Sequence, residues 1–422
     1  MKIIPAEYKS LFRNRKFVYL WVSQILSQLA IQIMNFLIIV RLFETTGSTI
    51  ATSLIWIAYA LPAMMVGPFA AAWVDFLDRR LVLVLSNLFQ FLVLIAYAFT
   101  FNRYFFLSYA VVLFYSLFNQ FYVPAEAASL PALVNKKNLP QANGLFFLTQ
   151  QASIILGFGT AGLLSEVVGF KISFLILSAF LLVAFVSSSF LPTLKVRSIV
   201  GKRLDINVAK FFGKIGEGYN FIKGNLSILM PFLLLASLHV AISIVSVNLP
   251  IMAKDIIGIN PNLAGVAIVF PAGLGALAGI TLIPRYLKKL RKKELIEKSL
   301  IVVSLSLWLV IFLVPELMQG LKVIAAGILF VFIGAAFVGI IIPAQTYLQE
   351  KTPRHLLGRV FGNFWFIATI ATIFPVLFSA TISEIFGVRM LFFLIGLTTL
   401  IAYVYSTKKG QYILENGGTV GD

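Results

Sequence analysis

Four amides stand in one line near the start of this 422-residue chain: Gln24, Gln28, Gln32 and Asn35. At about 100° per residue, helical spacings of four, four and three place them within about 80° of one another. They form one polar stripe, with Trp21 at its edge. An amide donates and accepts hydrogen bonds without carrying charge, which suits either an uncharged polar ligand or bonds between helices. His239, Ser243 and Ser246 share a face in the same way farther along. An imidazole there can bind a ligand or exchange a proton near neutral pH. Tyr115, Asn119 and Glu126 fall on a third face, and Glu126 brings a carboxylate that could carry a proton. Cysteine is absent, and His239 and His355 are the only histidines. Thiolate nucleophiles and histidine metal sites are therefore excluded, and no metal, cofactor or catalytic group is expected.

The elements that hold these residues follow from composition. Sixty per cent of the residues are apolar and only 12% are charged, with a mean hydropathy of +0.96. Water-soluble domains carry about 45–50% apolar and 25% charged residues, so the solvent around this fold is lipid. Apolar stretches long enough to cross a ~30 Å core as helix fall near 18–41, 51–74, 81–101, 104–125, 141–165, 170–191, 227–250, 262–284, 299–315, 322–347, 358–382 and 387–406. All but six of the 34 Lys and Arg residues lie in the N-terminal tail, the alternate loops and the C-terminal tail; the six are Arg41, Arg103, Lys171, Lys254, Lys322 and Arg389. Positive residues stay on the cytoplasmic side, which predicts both termini inside and a multi-pass protein of the inner (plasma) membrane. The net charge of +18 is read as a topology signal beside anionic headgroups and not as a nucleic-acid surface. The basic N-terminus is read as a cytoplasmic lead-in and not as a cleaved signal.

The basic segment from Lys195 to Lys223 is the one long polar connection, and it splits the spans six and six. The expected domains are an N-terminal bundle over 1–194, a cytoplasmic linker over 195–226 and a C-terminal bundle over 227–422. A repeat supports the split. Pro124-Ala125-Glu126 ends the fourth span and Pro343-Ala344-Gln345 ends the tenth, each followed by a glycine opening the next helix, Gly144 and Gly362. Matched elements in two halves are what duplicated transporters retain, with the substrate site where the halves meet.

At this point the chain resembles a known family. The loop after the second span places Ala71, Asp75, Asp78 and Arg79-Arg80 in the order of the major facilitator superfamily loop signature. The stretches PAEAASLPALVNKKNLPQANG and PAQTYLQEKTPRHLLGRVFG resemble the drug:proton antiporter branch that includes macrolide efflux proteins and the enterobactin exporter. Phe76 stands where the family usually has Arg, and Ile283 where the second-half loop would carry an acid. The resemblance implies an all-α fold of twelve helices in two pseudo-symmetric bundles, and export as the direction of transport. It also implies a cytoplasmic gate in which Asp75, with Arg79 and Arg80 beside it, meets Arg359 at the start of the eleventh helix.

The function expected is proton-coupled efflux of an amphipathic small molecule by alternating access; a lipid flippase or scramblase, or a membrane lipid enzyme, is the alternative. Substrate contacts are expected from Gln24, Gln28, Gln32, Asn35, Tyr115, Asn119, His239 and Ser243, and proton coupling from Glu126 or His239. Glu44, Glu166, Asp255, Glu316 and Glu384 all sit at outer ends, so no span carries an acid at mid-depth. An unpaired buried charge is costly, which favours neutral or anionic substrates; Arg41 would add to that preference if it faced inward. The partners expected are the substrate, membrane lipid and a proton, with no nucleic acid, and the chain is expected to act as a monomer.

Overall fold

In lipid, backbone N–H and C=O groups have no water to bind, so each crossing segment satisfies them within itself as helix. The computed structural model describes residues 10–74, 76–194, 213, 216, 219, 222–287, 290–353 and 357–409. Among these residues every regular element is a helix. Ten helices are long and apolar enough to cross a membrane. Two more complete the twelve expected spans. The second is Thr49–Met65, continued by Gly67–Val74, and the fourth is the 27-residue Leu107–Leu133.

The break in the second span has a local cause. Pro62 and Pro68 each remove a backbone donor, yet Val66 N–H still reaches the Pro62 carbonyl at 2.8 Å and Ala70 N–H reaches Val66 at 2.8 Å. The fourth span runs eight residues past its expected end, through both Pro124 and Pro131, to Leu133. Membrane helices accept such prolines because neighbouring groups take up the freed carbonyls. Beside Pro131, which leaves the Ala127 carbonyl without its helical donor, Arg79 Nη1 donates to the next carbonyl, that of Ala128, at 2.8 Å, and Asn14 Nδ2 donates to the helix-end carbonyl of Leu133 at 2.7 Å.

Among the described residues four glycines have left-handed backbone: Gly47, Gly169, Gly258 and Gly387. They occupy the turns after spans one, five, seven and eleven, two matching turns in each half. Only glycine takes this conformation without strain, so the repeat seen in the Pro-Ala pairs extends to the turns.

The chain divides into two compact units. One comprises Met1–Thr45 with Leu54–Phe211, the other Thr46–Ser53 with Phe212–Asp422. The expected linker over 195–226 lies mostly outside the described residues. Residues 46–53 group with the second unit, unlike the expected boundary, and the reason is visible: Glu384 Oε2 accepts from Ser48 Oγ at 2.7 Å and from the N–H of Ile50 at 3.1 Å, while Thr49 Oγ1 donates to the Ala380 carbonyl at 2.9 Å.

The first unit is built round Phe17, Leu20, Leu83, Tyr122 and Ala125. The second is built round Phe232, Leu235, Leu300, Ala344, Leu348 and Phe364. In the second unit the eighth span (Phe270–Leu287) and tenth span (Gln319–Lys351) meet backbone to backbone. A Cβ on Gly275 would strike the Val331 carbonyl, and one on Gly334 the Ala272 carbonyl. Small residues at such crossings allow the close packing that drives helix association in lipid.

Candidate functional site

The first span (Arg15–Thr46) is fixed at its start by Asn14, whose Oδ1 accepts from the N–H groups of Lys16 and Phe17 at 3.1 and 3.4 Å. From there the amide stripe separates into two parts. Gln24 is buried, and its Nε2 donates to the Phe146 carbonyl of the fifth span (Leu139–Val168) at 3.0 Å. Trp21 likewise donates to Thr149 Oγ1 at 3.0 Å. Both side chains tie the first span to the fifth. Gln28, Gln32 and Asn35 are half-buried, and the Asn35 carboxamide oxygen has no protein partner among the described residues. The fifth span packs tightly beneath Gln32: a Cβ on Gly157 would come within 2.5 Å of Gln32 Cβ.

His239 stands the same number of residues ahead of Gly258 as Gln28 does of Gly47, and Ser243 matches Gln32 in the same count. The two polar faces therefore hold equivalent places in the two halves. His239 is half-buried, and its carbonyl accepts from Ser243 Oγ at 3.0 Å. That bond occupies the hydroxyl hydrogen of buried Ser243 on its own helix.

On the fourth span, Tyr115 is buried. Its hydroxyl donates to the Ser27 carbonyl at 3.2 Å, and Gln90 Nε2 donates to the Tyr115 carbonyl at 3.4 Å. Asn119 pairs with the Tyr59 side chain of the second span.

Glu126 is 8% exposed and is the one buried carboxylate among the described residues. Tyr122 donates to its Oε1 at 3.5 Å, and the same hydroxyl lies 3.1 Å from Ser23 Oγ. Asn87 Nδ2 donates to Ser23 Oγ at 3.0 Å and reaches Ser188 Oγ at 3.5 Å. These bonds form one chain through the fourth, first, third (Arg79–Thr100) and sixth (Phe170–Ser189) spans. All its members are buried. Reading each helix alone identified Glu126 but not Ser23, Asn87, Tyr122 or Ser188, since no pattern within one helix marks a bond made between helices.

The residues expected at the gate divide. Asp75 and the side chain of Arg359 lie outside the described residues. Arg79 donates to the Ala128 carbonyl, as above, and Arg80 Nη2 donates to the Ser189 carbonyl at 2.6 Å. Asp78 caps the third span by accepting from Arg80 N–H at 3.0 Å, and the same oxygen accepts from Leu194 N–H at 3.0 Å. The loop is thus moored to the first unit's own helices.

Arg41 is spent within the first unit. Its guanidinium lies 4.4 Å from the Phe101 ring centroid and 4.7 Å from that of Phe170, and it donates to Asn102 Oδ1 at 2.8 Å.

A family model described as Major Facilitator Superfamily matches residues 20–375. The transporter YfiS of Bacillus subtilis (strain 168), described as MFS-type, is 26% identical over 98% of this chain and 100% of its own length. Macrolide efflux protein A of Streptococcus pyogenes is 26% identical over 90% of this chain and 92% of its own. Among solved structures, a bacterial homologue of the human lysosomal transporter Spinster superposes with a TM-score of 0.75 at 13% identity, covering 96% of this chain and 99% of that one. The nucleoside transporter NupG, in a mutant form, gives 0.69 at 13% identity, covering 92% and 99%.

Proposed function

Because the chain belongs to the Major Facilitator Superfamily, and is thus a multi-pass membrane transporter, we propose that it exports an amphipathic small molecule, macrolide-like or siderophore-like, in exchange for protons. The observation that carries this reading is Glu126. It is a buried carboxylate with one long hydrogen bond and, among the described residues, no ion pair. A buried charge without a partner is costly, so a group in this setting gains by taking a proton, and a carrier can use that gain. The likeness to macrolide efflux protein A over 90% of the chain supports a bulky amphipathic cargo.

Gln28, Gln32 and Asn35 are the proposed substrate contacts on the first span, with His239 on the seventh. Gln24, Tyr115, Asn119 and Ser243, also expected to touch substrate, are proposed instead to hold those contacts in place through the bonds described above. No carboxylate lies at mid-span, so the substrate is neutral or anionic. Alternating access proceeds by rocking of the two halves. The Asp75 contact with Arg359 closes the cytoplasmic side, while Arg79 and Arg80 moor the loop that carries it. The protein resides in the plasma membrane with both termini in the cytoplasm.

The test is a proteoliposome assay with an imposed pH gradient and a panel of neutral macrolide-like, siderophore-like, lysolipid and cationic amphiphiles. Gradient-driven movement of a neutral or anionic member is the expected result. Movement of lysolipid alone, indifferent to the gradient, would replace this reading with a lipid flippase.

A further inference from the structure

The chain of bonds from Glu126 ends on an amide whose two faces are unequal. Asn87 Nδ2 serves Ser23 and Ser188, while Asn87 Oδ1 is buried with no partner among the described residues. The two ends of an amide are alike in shape and differ only in the bonds they make, so the side chain fits its place in either orientation. With Glu126 ionised, every donor points toward it: Asn87 to Ser23, Ser23 to Tyr122, Tyr122 to the carboxylate. When Glu126 takes its proton on Oε1, the oxygen that faces Tyr122, Tyr122 accepts that hydrogen and the direction reverses. Tyr122 then accepts from Glu126 and donates to Ser23, and Ser23 must donate onward. The onward partner of Ser23 is Asn87, whose amide meets an acceptor with its nitrogen and a donor with its oxygen. In either orientation one end of Asn87 stays unpartnered, so turning over exchanges one orphan for another.

We propose that Asn87 is a positioning residue for the coupling proton, its side-chain amide turning over as Glu126 changes protonation state so that the Tyr122 and Ser23 bonds persist in both. No bond between heavy atoms forms or breaks. One proton adds to the carboxylate, the Tyr122 and Ser23 hydroxyls rotate while keeping their own hydrogens, and the amide rotates about its Cβ–Cγ bond. This inference rests on the reading of Glu126 as the proton carrier.

Few charges compete for the carboxylate. The fourth span adds Tyr115 beside Tyr122, and the second adds Tyr59, which is bonded to Asn119. On the third span Arg79 and Arg80 are bound to carbonyls. The first span carries Arg15 and Lys16 at its start and Arg41 near its end; the fifth carries Glu166 and the sixth Lys171, both at their outer ends. None of these forms an ion pair with Glu126 among the described residues.

Infrared difference spectra between acid and alkaline pH, on full-length protein in lipid with isotope-labelled asparagine, test this without a substrate. The carboxylic acid band of Glu126 is identified by its loss in Glu126→Gln. It should be accompanied, amide for carboxyl, by one asparagine side-chain band that disappears in both Glu126→Gln and Asn87→Leu. Ser23→Ala should uncouple the two bands, and Ser23→Thr, which keeps the hydroxyl, should restore them. That pair of variants serves if Asn87→Leu fails to fold. A Glu126 band with no asparagine change, or with one that survives Ser23→Ala, overturns the relay alone. No Glu126 band at any pH overturns the proton-carrier reading, and the relay falls with it.

Discussion

The fourth span around Glu126 and the tenth span around Gln345 are repeats of one another built from opposite materials. In the first unit Tyr122, Ser23 and Asn87 link the carboxylate to three other helices. In the second unit, counting from the paired Pro-Ala motifs, Ile341 holds the place of Tyr122 and Leu348 that of Ser129. Counting from Gly47 and Gly258, Leu234 and Leu235 replace Ser23 and Gln24. Leu235 and Leu348 belong to one hydrocarbon cluster, and Leu234 and Ile341 pack against it. A duplicated scaffold has thus kept its geometry while, at these positions, one copy carries a bonded carboxylate and the other presents apolar side chains. The second copy spends its specificity on close helix packing.

The comparison breaks most visibly at those packing contacts. Gly275→Val in the second unit drives side-chain atoms into the Val331 carbonyl, which is backbone and cannot yield. Its cost should reach or pass the upper end of the ~1–3 kcal/mol of ordinary overpacking, read as loss of monodisperse protein on size exclusion. Gly157→Ala in the first unit meets a side-chain carbon of Gln32 and should be milder, leaving folded protein of lower thermal midpoint.

Next in size is Tyr122→Phe. It leaves Glu126 and Ser23 each short of a bond inside the bundle and should cost ~1–3 kcal/mol. Ile341→Val, at the equivalent place in the second unit, removes one methylene for ~0.5–1.5 kcal/mol. Equal losses in the two variants, by thermal unfolding in detergent, would erase the distinction between polar network and apolar core. Asp78→Ala removes the cap of the third span and should cost ~1 kcal/mol, with transport slowed less than stability falls. Asp75→Asn should leave stability unchanged. Weakening an attraction of ~1–3 kcal/mol to a helix start and an arginine should slow transport and increase access of cytoplasmic probes to the substrate path.

Much of the fold was legible because lipid permits few solutions. The twelve apolar stretches correspond to twelve helical spans among the described residues, the second broken in two, with ends displaced by up to eight residues where charged or polar groups still fit a helix, as at Lys292–Lys298. The run past Pro131 was not legible, because the side chains that bond its carbonyls, Arg79 at Ala128 and Asn14 at Leu133, lie far off in sequence. The site was legible only as stripes. Gln28 and His239 could be paired by position, whereas periodicity could not tell that Gln24 and Tyr115 spend their donors on Phe146 and Ser27 carbonyls. The polar network escaped because Ser23 and Asn87 are single small polar residues in apolar helices, and only packing brings them together.

The central claim is that coupling resides in the first unit's carboxylate and has no counterpart in the second. With a substrate from the vesicle screen, it is tested by measuring gradient-driven accumulation and gradient-free exchange side by side in wild type, Glu126→Gln and Gln345→Leu. Glu126→Gln should lose accumulation and retain exchange, because the substrate path is untouched while the proton has no site; Gln345→Leu should retain both. Accumulation against a gradient by Glu126→Gln, at or near the wild-type level, would contradict the account.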